Sequence, residues 1–171
     1  NGLFCAAENQ DQFNSIYQGF IGRTASFEHI LYHSKRQFLN NQLGGDLNNL
    51  AQRIKEVADQ TPWGCDMTYR RVKESLAELL SKFTVYRTYI NRKGPSMTDH
   101  ILIQRAEASA IRHRPELTPE LTFIRRLLLE KMPESRCEEH LDRVKDVEEI
   151  IMKFQQLSAP LNAKGFEDTA I

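Results

Sequence analysis

The stretch Leu39-Asn40-Asn41-Gln42-Leu43-Gly44-Gly45-Asp46-Leu47-Asn48-Asn49-Leu50-Ala51-Gln52-Arg53-Ile54-Lys55-Glu56-Val57 decides the fold class. Its branched apolar residues stand at 39, 43, 47, 50, 54 and 57, in steps of four, four, three, four and three. Such steps gather them on one face of an α-helix, whereas a strand would need alternation. Upstream, Ser26 offers an N-cap, and Phe27, Ile30, Leu31 and Phe38 open the same helical pattern. Gly44-Gly45 does not shift the phase, so the pattern predicts one helix of about 50 Å, weakened there by roughly 1 kcal/mol per Gly. Thr61-Pro62-Trp63-Gly64 stops it, because Pro cannot extend the hydrogen-bond ladder and Gly frees the backbone to turn.

On the amino-terminal side, Phe13, Ile16, Tyr17 and Phe20 form one face of a short helix ending near Gly19 or Gly22. Beyond the turn, a helix starts near Asp66 or Thr68 and carries Val72, Leu76, Leu79 and Phe83. Phe83 to Ile90 then becomes β-branched and aromatic, which suits a short strand or extended loop, although the helical phase also continues through Tyr86 and Ile90. Ser96 with Asp99 resembles a capping box for a helix reaching about Arg112. Thr118-Pro119-Glu120 starts another helix through Leu121, Ile124, Leu127 and Leu128. Ser135 and Glu138 open the last, with Leu141, Val144, Val147, Ile151 and Phe154 inward and Pro160 as its end. The fold class expected is all-α: an irregular bundle of about six helices in a single domain over residues 1–171, with at most one short strand near residues 84–90.

The 171 residues carry 23 Lys+Arg and 23 Asp+Glu, a formal net charge of zero. That balance lacks the basic footprint of a nucleic-acid binder and of a polybasic membrane anchor. No run approaches the ~20 apolar residues of a membrane span, and the amino terminus has no signal pattern. Cys5, Cys65 and Cys137 are too far apart for a zinc site, and read as reduced, mostly buried thiols of a cytoplasmic protein. The start at Asn1 without Met, and an end on a motif, suggest a piece of a longer chain.

Little of the sequence points to catalysis. His29 and His33 share a helix face at a spacing that can hold a metal, but no third ligand accompanies them and Ile30 occupies the position of a general-base Glu. They read as surface or packing residues, and neither a metal nor a cofactor is expected. His100, His113 and His140 have no sequence partner suggesting a nucleophile and base, and no phosphate-cradling Gly-rich loop occurs. Arg125-Arg126, Glu130-Lys131 and the acids from Glu134 to Glu139 read as a solvated helix face. Two segments stand out. Val85-Tyr86-Arg87-Thr88-Tyr89 sets an Arg between aromatic rings, a combination that stacks on and hydrogen-bonds sugars but equally suits a half-buried strand. Ala163-Lys164-Gly165-Phe166-Glu167-Asp168-Thr169-Ala170 gathers charges around a Gly after Pro160, as an irregular binding loop or a polar tail.

Phe154-Gln155-Gln156-Leu157-Ser158-Ala159-Pro160 and the following 163–170 run resemble the F-Q-Q-x-S/T-x-P-x-x-A-K-G-x-E-D-T-A of maltooligosyltrehalose synthases. Val85 to Tyr89 resembles the V-Y-R-T-Y of the same enzymes. Asn1-Gly2-Leu3-Phe4 resembles their N-G-L-F/W stretch, and Tyr32 to Arg36 with Leu39 their helix bearing a K-R pair. Asn162 stands where that family usually has Met, and Ile171 where an aromatic commonly follows the Ala.

The resemblance implies a helical insertion in the (β/α)8 barrel of an α-amylase-superfamily enzyme. That enzyme turns the reducing-end α-1,4 bond of a maltooligosaccharide into an α,α-1,1 trehalose bond. Such retaining chemistry uses two carboxyl groups roughly 5 Å apart, and the resemblance places both outside these residues, leaving the piece inactive alone. It implies Tyr86, Arg87, Lys164, Glu167 and Asp168 as substrate-binding candidates, residues 160–171 as a substrate loop, and Val85 to Tyr89 as a barrel strand of the parent. The partner implied is a maltooligosaccharide, and a surface bared by excision implies self-association. The contrasting reading is a self-contained helical interaction module.

Overall fold

The computed structural model describes residues 6–22, 26–130 and 138–170. Seven α-helices occupy them: α1 (Gln10–Ile21), α2 (Phe27–Asn41), α3 (Gly44–Asp59), α4 (Tyr69–Ser81), α5 (Met97–His113), α6 (Thr118–Leu129) and α7 (Glu138–Ala170). Two 3-10 turns, Ala7–Asn9 and Pro115–Leu117, precede α1 and α6. The all-α class holds. Ser135 and the Asn1-Gly2-Leu3-Phe4 stretch lie outside the described residues.

The expected long helix is two. α2 ends at Asn41, where the N–H groups of both Gln42 and Leu43 donate to Phe38 O, at 2.9 and 3.2 Å. α3 restarts at Gly44 under a non-helical Leu43 (φ −105°, ψ 14°). Apolar phase is blind to this break because both halves turn the same stripe toward the same helix, α7: Leu39 and Leu47 are each fully buried. The low helix propensity of the Gly pair makes this the cheapest place to break.

Pro160 corrects a second expectation: α7 runs through it to Ala170. Pro160 and Gln156 are exposed, so the carbonyl that loses its helical donor faces water, while Leu157, Leu161 and Asn162 keep the inner face anchored. Residues 160–170 are therefore helix and not an irregular loop.

The core is one cluster between α3, α4, α6 and α7, closed by α5. Leu47, Leu50, Ile54, Leu76, Leu79, Ile103, Leu121 and Phe154 fill it, with Phe83 edge-on to Phe154 at 5.7 Å between ring centroids. Ion pairs tie the helices at the rim: Arg36–Glu74 at 3.0 Å, Arg53–Glu149 at 2.7 Å and Arg125–Glu107 at 3.0 Å. Arg71 grips buried Glu120 through two nitrogens, at 2.6 and 3.0 Å. Arg125 and Arg126 are thus half-buried and not part of a wholly solvated face; Arg126 stacks on Trp63 at 4.8 Å. α1 forms as expected and ends on Gly22 at φ 63°, but its apolar face is bare, with Phe13 72% and Phe20 89% exposed.

Cys65 is exposed, against the expectation of burial, in the turn where Gly64 packs on Ala58. A Cβ at Gly64 would sit 2.7 Å from Ala58 O, whereas one at Gly45 meets nothing within 4 Å. Gly64→Ala is therefore expected to cost about 1–3 kcal/mol of unfolding free energy through overpacking. Gly45→Ala, in an exposed turn of α3, is expected to gain up to about 1 kcal/mol. Urea denaturation of the two variants checks the opposite signs.

Candidate functional site

Residues 84–95 between α4 and α5 form neither a helix nor a named strand; the only bridge there joins Asn91 and Gly94. The backbone is nevertheless held as a strand would be. The Gln155 side chain of α7 accepts from Ile90 N at 2.8 Å and Thr88 Oγ1 at 3.2 Å, and its amide donates to Ile90 O at 3.2 Å. Asp99 adds a bond from Tyr89 N at 3.1 Å while closing the capping box of α5 with Ser96. Burial opposes ionisation of Asp99, but the hydrogen bonds from Ser96 and Tyr89 outweigh it and hold the carboxyl below its ordinary value. From Arg87 to Ile90 outward and inward residues alternate: Thr88 and Ile90 are buried, while Arg87 and Tyr89, with Tyr86 before them, face solvent. The Arg87 guanidinium lies 4.6 Å from the Tyr89 ring centroid, so the two make one planar, half-cationic surface. Beside it, a groove of about 590 Å³ runs between residues 90–92 and α7, with Ile90, Ile151 and Met152 as apolar walls and Gln155 among its lining.

The other candidate residues fall on the last turns of α7. Lys164 is exposed on that helix. The side chains of Glu167 and Asp168 lie outside the described residues. Gly165 has a packing role: a Cβ there would come 2.7 Å from Lys35 Cγ. Nothing places Lys164 beside Arg87 or Tyr86.

Two buried ionic groups are not among the site candidates read from the sequence, although one of them, Lys35, belongs to the K-R pair. Lys35, 2% exposed, donates from Nζ to Phe83 O at 2.7 Å and to Asn162 Oδ1 at 2.6 Å. Burial pulls its ammonium down to about 8. Glu78, wholly buried, accepts from Tyr32 OH at 2.7 Å and lies 2.9 Å from His113 Nδ1. Burial first, and then the Glu78 carboxylate, push the Tyr32 phenol up to about 12. The helical phase carried a signal for Lys35, which is four residues from both Leu31 and Leu39 and so shares their stripe. Among the described residues the buried acids each have a structural partner: Glu78 as above, Asp99 the cap, Glu120 the Arg71 fork. His29 and His33 stack edge to face at 4.3 Å, both exposed, and no group of three or more metal-binding side chains occurs among the described residues. Among these residues, too, no helix is long and apolar enough to cross a membrane.

Compared with protein-family models, curated proteins and solved structures, the chain finds no match in any of the three.

Lys35 carries a pH dependence whose sign is fixed. Between about 8 and 10.5 the unfolded chain keeps a proton that folded Lys35 has released, so stability gains from this group as pH rises through that window. Below it, the full cost of burying the ammonium is present. Lys35→Met removes the window: the difference in urea midpoint between pH 7 and pH 9.5 is expected to shift toward lower stability at pH 9.5 relative to wild type. Gln155→Leu strips the buried Thr88 and Ile90 groups of their partner, about 1–3 kcal/mol for each group left unpaired. Limited trypsinolysis is expected to cut that variant faster after Arg87 and Arg92.

Proposed function

We propose that this chain is the helical part of a maltooligosyltrehalose synthase, a cytoplasmic intramolecular transglucosylase that rearranges the reducing end of maltooligosaccharides into a trehalose unit. One observation carries the reading: the stretches that resemble that family sit against one another. Gln155 of the F-Q-Q run grips Thr88 and Ile90 at the end of the V-Y-R-T-Y run. Gly165 of the terminal run packs on Lys35 of the K-R pair, whereas the bond from Lys35 to Asn162 is this chain's own, since that family usually has Met there. Those contacts give the shared residues a common physical purpose, which an unrelated helical bundle leaves unexplained.

In this reading the segment bearing Tyr86, Arg87 and Tyr89 offers stacking faces and a donor fork to glucose rings, on a backbone already fixed by Gln155 and Asp99. The nucleophile and the acid/base belong to the barrel, outside these residues. The helical part encloses the site, so that the glycosyl intermediate is captured by the substrate's own glucose hydroxyl before water reaches it. Lys164, Glu167 and Asp168 are the further candidates for that wall. The bare face of α1 favours a second reading, an interaction module; a monodisperse, cooperatively folded chain with no effect on any glucan supports that alternative.

The test uses the full-length enzyme carrying this sequence. Arg87→Ala and Lys164→Ala are each expected to lower trehalose-type transfer about tenfold or more, with a larger share of free glucose, while the unfolding midpoint stays put. Unchanged transfer and unchanged glucose in both variants reject these residues as site residues and reduce the helical part to scaffold.

A further inference from the structure

A cleft of about 220 Å³ opens between α2, the end of α4 and α5, and its lining is out of balance in charge. Lys35 and Lys82 both line it, as do Thr84 and Ser109; the one acid in its lining is Glu28, an exposed residue. Lys35 is buried with neutral partners only among the described residues, a backbone carbonyl and an amide oxygen. An ammonium has three donors, and beyond those two oxygens Nζ meets only the ring of Phe166, 5.4 Å from its centroid and itself part of the cleft wall, so among the described residues no anion offsets the charge. Lys82 Nζ lies 4.0 Å from the centroid of the Tyr32 ring, another wall of the cleft, and that ring is itself tethered to Glu78. Buried cations are normally matched by an anion, and a charge held without one is costly. The volume is below the ~300–1,000 Å³ of pockets for drug-sized ligands, and suits one tetrahedral group better than an oligosaccharide.

We propose that this cleft binds a phosphate group, free or as a small monoester, with Lys35 and Lys82 supplying the charge and the Thr84 and Ser109 hydroxyls supplying hydrogen bonds. Residues with donor groups on three separate elements line it, and lysine serves phosphate as a point charge. Binding would supply the counter-charge that Lys35 lacks and clamp α2 to α4 and α7 through the Phe83 and Asn162 contacts. The proposal does not rest on the glucan reading, since a maltooligosaccharide is neutral and the cleft does not include Tyr86, Arg87 or Lys164.

Thermal unfolding of the 171-residue chain in rising inorganic phosphate, against sodium chloride of matched ionic strength, tests it. A saturable rise of about 3–5 °C at roughly tenfold excess over Kd is expected, absent in chloride. Lys82→Ala removes one cation at the edge without opening the core, and is expected to weaken binding about tenfold; Lys35→Met, where it folds, is expected to abolish it. Glycerol 3-phosphate, run in parallel, distinguishes the sources: a tighter Kd than phosphate assigns a monoester, an equal one the phosphate group alone. No rise above chloride with either compound, or the same rise in Lys82→Ala as in wild type, overturns the site.

Discussion

The burial of Lys35 constrains more of this molecule than any apolar contact does. A full charge removed from water must be met by hydrogen bonds, and here they come from the residue just beyond α4 and from the far part of α7. Meeting that demand fixes several things at once. Phe83 must leave the helix so that its carbonyl is free for Nζ. α7 must persist beyond Pro160, because Asn162 and Gly165 both reach Lys35 from the turns that follow. Gly165 must lack a side chain, since the aliphatic stem of Lys35 occupies the space a Cβ would take. Asn162 also returns a bond from Nδ2 to Ser158 O, at 2.9 Å, which aims its oxygen at the ammonium. A Met at that position has only a thioether, a weak acceptor, to offer the charge.

The segment after α4 shows what happens to a β-prone run with no neighbouring strand. Its backbone groups still need partners, and two side chains stand in for a strand: Gln155 presents a carbonyl and an N–H as a peptide unit does, and Asp99 presents an acceptor at the next outward position. Because those partners are side chains on α7 and α5, the segment is tied to the helices flanking the core instead of to a sheet. The strand-like alternation survives as Thr88 and Ile90 inward and Tyr89 outward.

Helix existence and the all-α class were legible because apolar phase is a local property. The faces of α3, α4 and α6 are the residues that fill the core, and the capping box at Ser96 and Asp99 closes as its spacing implies. Breaks were less legible, since they depend on what lies opposite. Leu39 and Leu47 keep phase across Gly44-Gly45 because both are buried and both α2 and α3 pack on α7, so the chain can bend between them without betraying it in the pattern. Pro160 reads as a stop only if nothing beyond it holds the helix, and Lys35 holds it. The extended segment is legible as unusual from its Arg between two Tyr, but their exposure is not: the sequence suits a half-buried strand equally, and the structure places Tyr86, Arg87 and Tyr89 in solvent. Lys35 and Glu78 were missed because a charged residue on an apolar stripe is ordinarily assigned to the rim, where its stem packs and its head reaches water.

For the proposed sugar-binding role, the extended segment is better suited than the α7 terminus, on grounds of order and exposure together. A surface that must be organised at the moment of binding loses affinity to the entropy of ordering. Tyr86, Arg87 and Tyr89 project from a backbone whose neighbouring residues, Thr88 and Ile90, are buried and hydrogen-bonded to one rigid helix. Arg87 is already laid beside Tyr89, so the guanidinium loses little further freedom when a ligand arrives. The last turns of α7 have a different commitment. Their inner positions, Asn162 and Gly165, pack on Lys35, while Lys164 lies on the exposed side. Within the K-G-x-E-D-T-A motif the Gly thus has a packing task of its own: it leaves room for the stem of the buried Lys35.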